Sequence, residues 1–199
     1  VGSGLRRAGA SLRPHGPGIR AAGRAGVPLL VRTVALRACL LVTVWAAARN
    51  GSSALAAHQV AFNVWTLLAL ALDALAIAAQ ALTGKALGAG DVAAVRAATR
   101  RMVVWGVGSG LVLGLALALV HRVAWRAFTG DSSLADALAF ADSLSAVLLV
   151  ISLAAPLAGY VFVLDGVLIG AGDGAFLAWT AVLQFLVYAP LALWVGLDS

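Results

Sequence analysis

Residues 72–91 read LDALAIAAQALTGKALGAGD, and residues 164–173 read LDGVLIGAGD. Each places Leu-Asp inside an apolar run, and each closes on Gly-Ala-Gly-Asp. The first stretch continues a run that begins near residue 55 and stays apolar to residue 82, apart from a few polar side chains. A helix needs about 20 residues to cross the hydrocarbon core of a bilayer, so this run is long enough. It is rich in Ala and Leu and shows no period-two alternation, which points to a helix rather than a barrel strand.

Composition extends that reading to the whole chain. Of 199 residues, 62% are hydrophobic and 11% are charged, against about 25% charged in ordinary soluble domains. Mean hydropathy is +0.99. The expected class is an all-α membrane protein, a polytopic helical bundle. The net charge of +6 does not suggest nucleic acid: the arginines lie between apolar runs, and aromatic residues do not interleave with them as a base-stacking surface requires. The single cysteine, Cys39, excludes an intrachain disulfide framework. The start without Met, the lack of a leader pattern and the polar stop at Leu197-Asp198-Ser199 predict a fragment.

Residues 1–26 are rich in Gly, Arg and Pro and form a basic linker, expected to be flexible or to lie on the membrane surface. Five apolar spans follow, at about 27–48, 55–82, 102–120, 143–169 and 175–197. Segments 92–101 and 131–142 read as short amphipathic surface helices. Arg6, Arg7, Arg13, Arg20 and Arg24 share one side with Lys85, Arg96, Arg100 and Arg101, whereas the opposite loops carry Arg49, Arg122 and Arg126 beside Asp131, Asp136 and Asp142. The basic bias places residues 1–26 and 83–101 in the cytoplasm. Both Gly-Ala-Gly-Asp turns then fall on that side, with the glycines ending helices and Asp91 and Asp173 capping the next ones.

Along residues 55–82, Asn63, Thr66, Asp73 and Gln80 follow Gln59 at +4, +7, +14 and +21. At about 100° per residue, these five occupy an arc of roughly 100° on one helix face. Facing lipid, the aspartate alone would cost about 3 kcal/mol near the bilayer centre. The face is therefore expected to line a watery solute or ion path, or to serve as hydrogen-bonding glue between helices. Gln59 and Gln80, near the ends, suit the glue reading better. Asp165 has a similar choice between a functional role and a bond to a basic neighbour. Arg32 is expected to reach the headgroups by snorkelling. Arg37 lies deeper and either snorkels as well or calls for a wet cavity or a carboxylate partner, Asp73 or Asp165.

Gly106, Gly110 and Gly114 form a small-residue ridge, and Ser145, Ser152, Gly159 and Gly166 recur at intervals of seven. Both patterns predict close helix packing. Pro156 is expected to kink its helix. Tyr160, Gln184 and Tyr188 are further cavity candidates. Gly84-Lys85 is followed by alanine and is no phosphate loop. The histidines lack metal-ligand spacing, and no local motif assembles a nucleophilic triad. No metal, cofactor or enzymatic activity is expected.

Residues 54–91, ALAAHQVAFNVWTLLALALDALAIAAQALTGKALGAGD, resemble the eighth transmembrane helix and following loop of multidrug and toxic compound extrusion (MATE) transporters, most closely their DinF-like branch. Residues 163–173, VLDGVLIGAGD, resemble the end of that family's tenth helix. The resemblance covers residues 27–199 as helices seven to eleven. It implies two pseudo-symmetric six-helix lobes that export organic cations, drugs or other amphiphiles in exchange for protons or sodium. This chain would be a partial C-terminal lobe in the inner (plasma) membrane, its missing partner being the N-terminal lobe. Sodium-type members use acids on helices seven and ten. Here the seventh has none and the tenth has Asp165 only near its end, so no sodium site is carried over. The cavity and coupling candidates are Asp73, Asn63, Thr66, Gln59, Asp165 and Arg37. A lipid-linked precursor flippase and a non-transporting structural subunit are the alternative readings.

Overall fold

The computed structural model describes residues 16–128 and 134–197. Among them every regular element is helical: α1 (Gly16–Arg49), α2 (Ser52–Gly88), α3 (Val92–Val120), a short 3-10 helix (Ala124–Ala127), α4 (Leu134–Ala171) and α5 (Gly174–Leu197). Each of the five α-helices is long and apolar enough to cross a membrane. The protein is a polytopic helical bundle. Short connections make successive helices antiparallel. The starts of α1, α3 and α5 therefore share one end, called here the basic end, with the close of α2 and α4.

The helices run past the boundaries expected from hydropathy. α2 has 37 residues and α4 has 38, or about 55 Å each at 1.5 Å per residue, against some 30 Å of hydrocarbon. Helix α1 already begins at Gly16, inside the segment read as a linker; residues 1–15 lie outside the described residues. Residues 92–101 are not a separate surface helix but the first turns of α3. Likewise residues 134–142 belong to α4, while Asp131 lies outside the described residues. Polar residues interrupt hydropathy without interrupting helix propensity, because Ala, Leu, Arg and Lys all favour the helix. The chain turns where its backbone must. Gly90 and Gly172 have φ of 71° and 80°, a region that costs other residues a steric penalty. Asp91 and Asp173 then cap α3 and α5, accepting from the amides of Ala94 at 2.8 Å and Phe176 at 3.1 Å.

α4 packs against α2 and α3 along most of its length, and small residues allow this. A Cβ added at Gly106 would stand 2.5 Å from the Gly159 carbonyl oxygen and 2.7 Å from Val163 Cγ2. One added at Gly110 would stand 2.8 Å from Pro156 Cα. Gly114 meets the carbonyl of Ser152, the oxygen that the missing Pro156 N–H releases from the helical ladder. Helix α4 nevertheless continues through Pro156 to Ala171. Toward its basic end α4 turns to α2, with Gly166 against the backbone of Ala76 and Gly170 against that of Gln80. Three buried apolar clusters, around Leu144, Leu72 and Val163, fill the space within these helices.

The glycine ridge generates a pair of opposite expectations. Gly110→Ala forces a methyl into the α4 backbone and costs about 1–3 kcal/mol. Gly108, two residues away, faces open space, so Gly108→Ala leaves stability unchanged or raises it by up to about 1 kcal/mol. Thermal unfolding of the two variants in detergent measures both signs.

Candidate functional site

The arc of polar residues on α2 is displayed by the way that helix packs. Its buried residues are Ala57, Ala61, Leu68, Leu72, Ala76, Ala79 and Thr83, centred about 140° round the helix from the polar arc. Gln59, Asn63, Thr66, Asp73 and Gln80 are all exposed. None of the five is therefore used as glue to the helices that α2 packs against. Leu70 and Ile77 share the arc and are 63% and 60% exposed. The face is amphipathic along its length, alternating amide, carboxylate and aliphatic groups. Thr66 contributes less polarity than its sequence position suggests, because its hydroxyl donates to the Phe62 carbonyl at 2.8 Å.

Arg37 is exposed and stands at one end of this arc rather than beside a carboxylate. A groove of about 250 Å³ between α1 and α2 is lined by Arg37, Leu40, Leu41, Val44, His58, Gln59 and Phe62. His58 stacks on Phe62, with ring centroids 6.4 Å apart and 27° between planes. Asp73 lies fourteen residues beyond Gln59, or about 21 Å along the helix, so the expected Arg37–Asp73 pairing does not form. Nor does Arg37 meet Asp165. That carboxylate is bound by Arg32, which was expected to snorkel to the headgroups. The depths of the two residues were the available signal. Arg32 lies six residues after Gly26, where the apolar part of α1 begins, and Asp165 six residues before Ala171, where α4 ends. Equal depth at the same end of the bundle lets the charges neutralise one another inside the membrane.

The other cavity candidates separate. Tyr188 is half-buried and its hydroxyl lies 2.6 Å from Thr43 Oγ1, tying α5 to α1. Tyr160 is 41% exposed on α4, and Gln184 is exposed on α5. The groove residues His58 and Phe62 were not foreseen as partners of Arg37, since only the α1–α2 contact brings them together. Among the described residues, no three His, Cys, Asp or Glu side chains converge as metal ligands would.

Comparison with protein families matches residues 28–194 to MatE. Curated relatives from Arabidopsis thaliana include Protein DETOXIFICATION 42, 29% identical over 86% of this chain and 34% of its own length. Protein DETOXIFICATION 44, chloroplastic, is 31% identical over 87% of this chain and 34% of its own length. Protein DETOXIFICATION 45, chloroplastic, is 31% identical over 88% and 32%. The chain thus spans about a third of the length of these relatives. No solved structure gives a significant match.

If the α2 arc is free of packing duty within this bundle, its residues tolerate apolar replacement. Asn63→Leu and Asp73→Leu are expected to change unfolding stability in detergent by no more than about 0.5 kcal/mol. Leu72→Ala, adjacent to Asp73 but 1% exposed, is expected to cost about 2–5 kcal/mol.

Proposed function

This chain belongs to the MatE (multidrug and toxic compound extrusion) family, and from that premise we propose that it supplies part of the C-terminal lobe of an antiporter. In this reading the complete transporter resembles the DinF-like branch and exports organic cations, drugs or other amphiphiles in exchange for protons. The observation that carries the proposal is the exposure of Gln59, Asn63, Asp73 and Gln80 on the side of α2 opposite its packed face. A carboxylate and three amides are costly against lipid, so their face belongs to a hydrated cavity completed by the N-terminal lobe. That lobe is the partner expected from a chain spanning about a third of its relatives.

Within such a cavity the residues have distinct work. The ionised Asp73 carboxylate attracts a cation, and its protonation removes that attraction. Gln59 and Asn63 offer neutral donors and acceptors, while Leu70 and Ile77 receive apolar parts of the solute. Thr66 contributes mainly its methyl, because its hydroxyl is already engaged. Proton and solute thereby compete for one site, which is sufficient for exchange when the lobes alternate between the two sides of the membrane. Protons are favoured over sodium because α1 offers no acid and Asp165 is taken by Arg32. We read the basic end as cytoplasmic, supported by the excess of arginine and lysine there, and the complete transporter as a plasma-membrane protein. A second reading, a flippase for lipid-linked precursors, is favoured by the exposed guanidinium of Arg37 in its groove beside His58.

Efflux of a fluorescent organic cation from cells carrying the complete transporter, with and without a proton uncoupler, tests the proposal. Asp73→Asn is expected to lower efflux at least about tenfold, the equivalent of ~1.4 kcal/mol, and to abolish its response to the uncoupler. Unchanged efflux with unchanged pH dependence removes Asp73 from the mechanism.

A further inference from the structure

The five helices do not form one evenly packed bundle. Every residue of the three buried apolar clusters comes from α2, α3, the 3-10 helix or α4. Helix α1 packs instead along α5. That pair has its own ties: Thr43 to Tyr188, and Arg49 Nε donating to the Gly196 carbonyl at 2.7 Å. Gly196 also seats Trp45, whose Cζ3 would lie 2.9 Å from an added Cβ. The chain therefore folds as a pair, α1 and α5, beside a triplet, α2 to α4.

Contact between pair and triplet is thin. α1 touches α2 over a short stretch, and α4 touches α5 less still. The chain crosses from one unit to the other at two places, the α1–α2 and α4–α5 connections. Each contains a glycine with left-handed backbone angles, Gly51 at φ 97° and Gly172 at φ 80°. Such joints can change angle without the penalty a Cβ would bring. The two ends of the seam differ. At the basic end Arg32 of α1 binds Asp165 of α4. Toward the other end, near the α1–α2 connection, a groove lined by Leu41, Val44, His58 and Phe62 lies between α1 and α2.

We propose that α1 and α5 move as one unit against the α2–α4 triplet, and that the Arg32–Asp165 ion pair is the catch that holds their seam closed at the basic end while the α1–α2 groove stands open at the other. Both partners are about three-quarters buried, with side-chain exposures of 25% and 27%. Either charge alone would be stranded within the membrane span, so the catch works only as a pair. With so little apolar contact behind it, loss of the pair frees the seam rather than merely loosening it. The inference takes from the proposed function only that the chain works within a complete transporter.

The test is a distance measurement by pulsed electron resonance on that complete transporter in a Cys39→Ala background. Spin labels at Leu30→Cys on α1 and Leu87→Cys on α2 report the basic end; both positions are exposed. Labels at Leu67→Cys and Val112→Cys, both exposed, report the triplet alone. Arg32→Gln and Asp165→Asn are each expected to add a population longer by on the order of 5 Å at the basic end. The triplet distance stays fixed, and the swap Arg32→Asp with Asp165→Arg returns the short distance. A basic-end distance indifferent to either neutralisation, or a swap that restores nothing, overturns the catch. A variant whose triplet distance also changes has lost its fold, and a second measurement with Arg32 and Asp165 intact then decides. A cleavable bis-thiol cross-link between Leu30→Cys and Leu87→Cys is expected to stop transport until it is cut. Transport that continues through the closed cross-link overturns the proposal. Label distances that respond as expected in a protein that moves no solute support the catch and count against the transport reading alone.

Discussion

A carboxylate and a row of amides cannot be left against hydrocarbon without something polar to meet them. That constraint organises this molecule. Along α2 the residues that pack are Ala, Leu and one Thr, and the polar residues left outside include Gln59, Asn63, Asp73 and Gln80. The helix thus has one face for its neighbours and another for water or a partner half. Where a second acid occurs within an apolar helix, at Asp165, the solution is different: Arg32 is brought to it from 133 residues away. One acid is neutralised inside the fold, and the other is left free for use. The division explains how the same Leu-Asp pair serves two purposes, while both Gly-Ala-Gly-Asp turns end one helix and cap the next.

Close backbone contact supplies the rigidity behind this arrangement. Gly106, Gly110 and Gly114 let α3 lie on α4, and Gly166 and Gly170 let α4 lie on α2. In lipid no hydrophobic force drives helices together, so dispersion between closely approaching backbones is the main cohesive term. The triplet is held in this way and presents the polar arc of α2 as a fixed surface. The α1–α5 pair is held differently, by the Tyr188–Thr43 and Arg49–Gly196 bonds at the end away from the basic segment.

Helix number, the glycine ridge, both aspartate caps and the polar arc were legible in the sequence. All depend on local period or local backbone chemistry, which residues carry individually. Helix ends were less legible. Thr83-Gly84-Lys85 lowers hydropathy, yet α2 runs on to Gly88 because no residue there opposes the helix strongly enough. The partner of each charge within the apolar helices was not legible, since Arg32, Arg37, Asp73 and Asp165 offer several neutral combinations. Only the fold, which brings Arg32 of α1 to Asp165 of α4 at the basic end, chooses among them. That Thr66 spends its hydroxyl on Phe62 was equally hidden, because a rotamer decides it.

The central claim is that the exposed arc of α2 meets water. The direct measurement is the reaction rate of a membrane-impermeant thiol reagent with single cysteines placed along α2 in the intact transporter, in a Cys39→Ala background. Fast labelling at Gln59→Cys, Asn63→Cys and Asp73→Cys, with slow labelling at the exposed Val112→Cys within the apolar span of α3, is the result expected. Labelling confined to the helix ends, with residues 63 and 73 as inert as residue 112, would contradict the account.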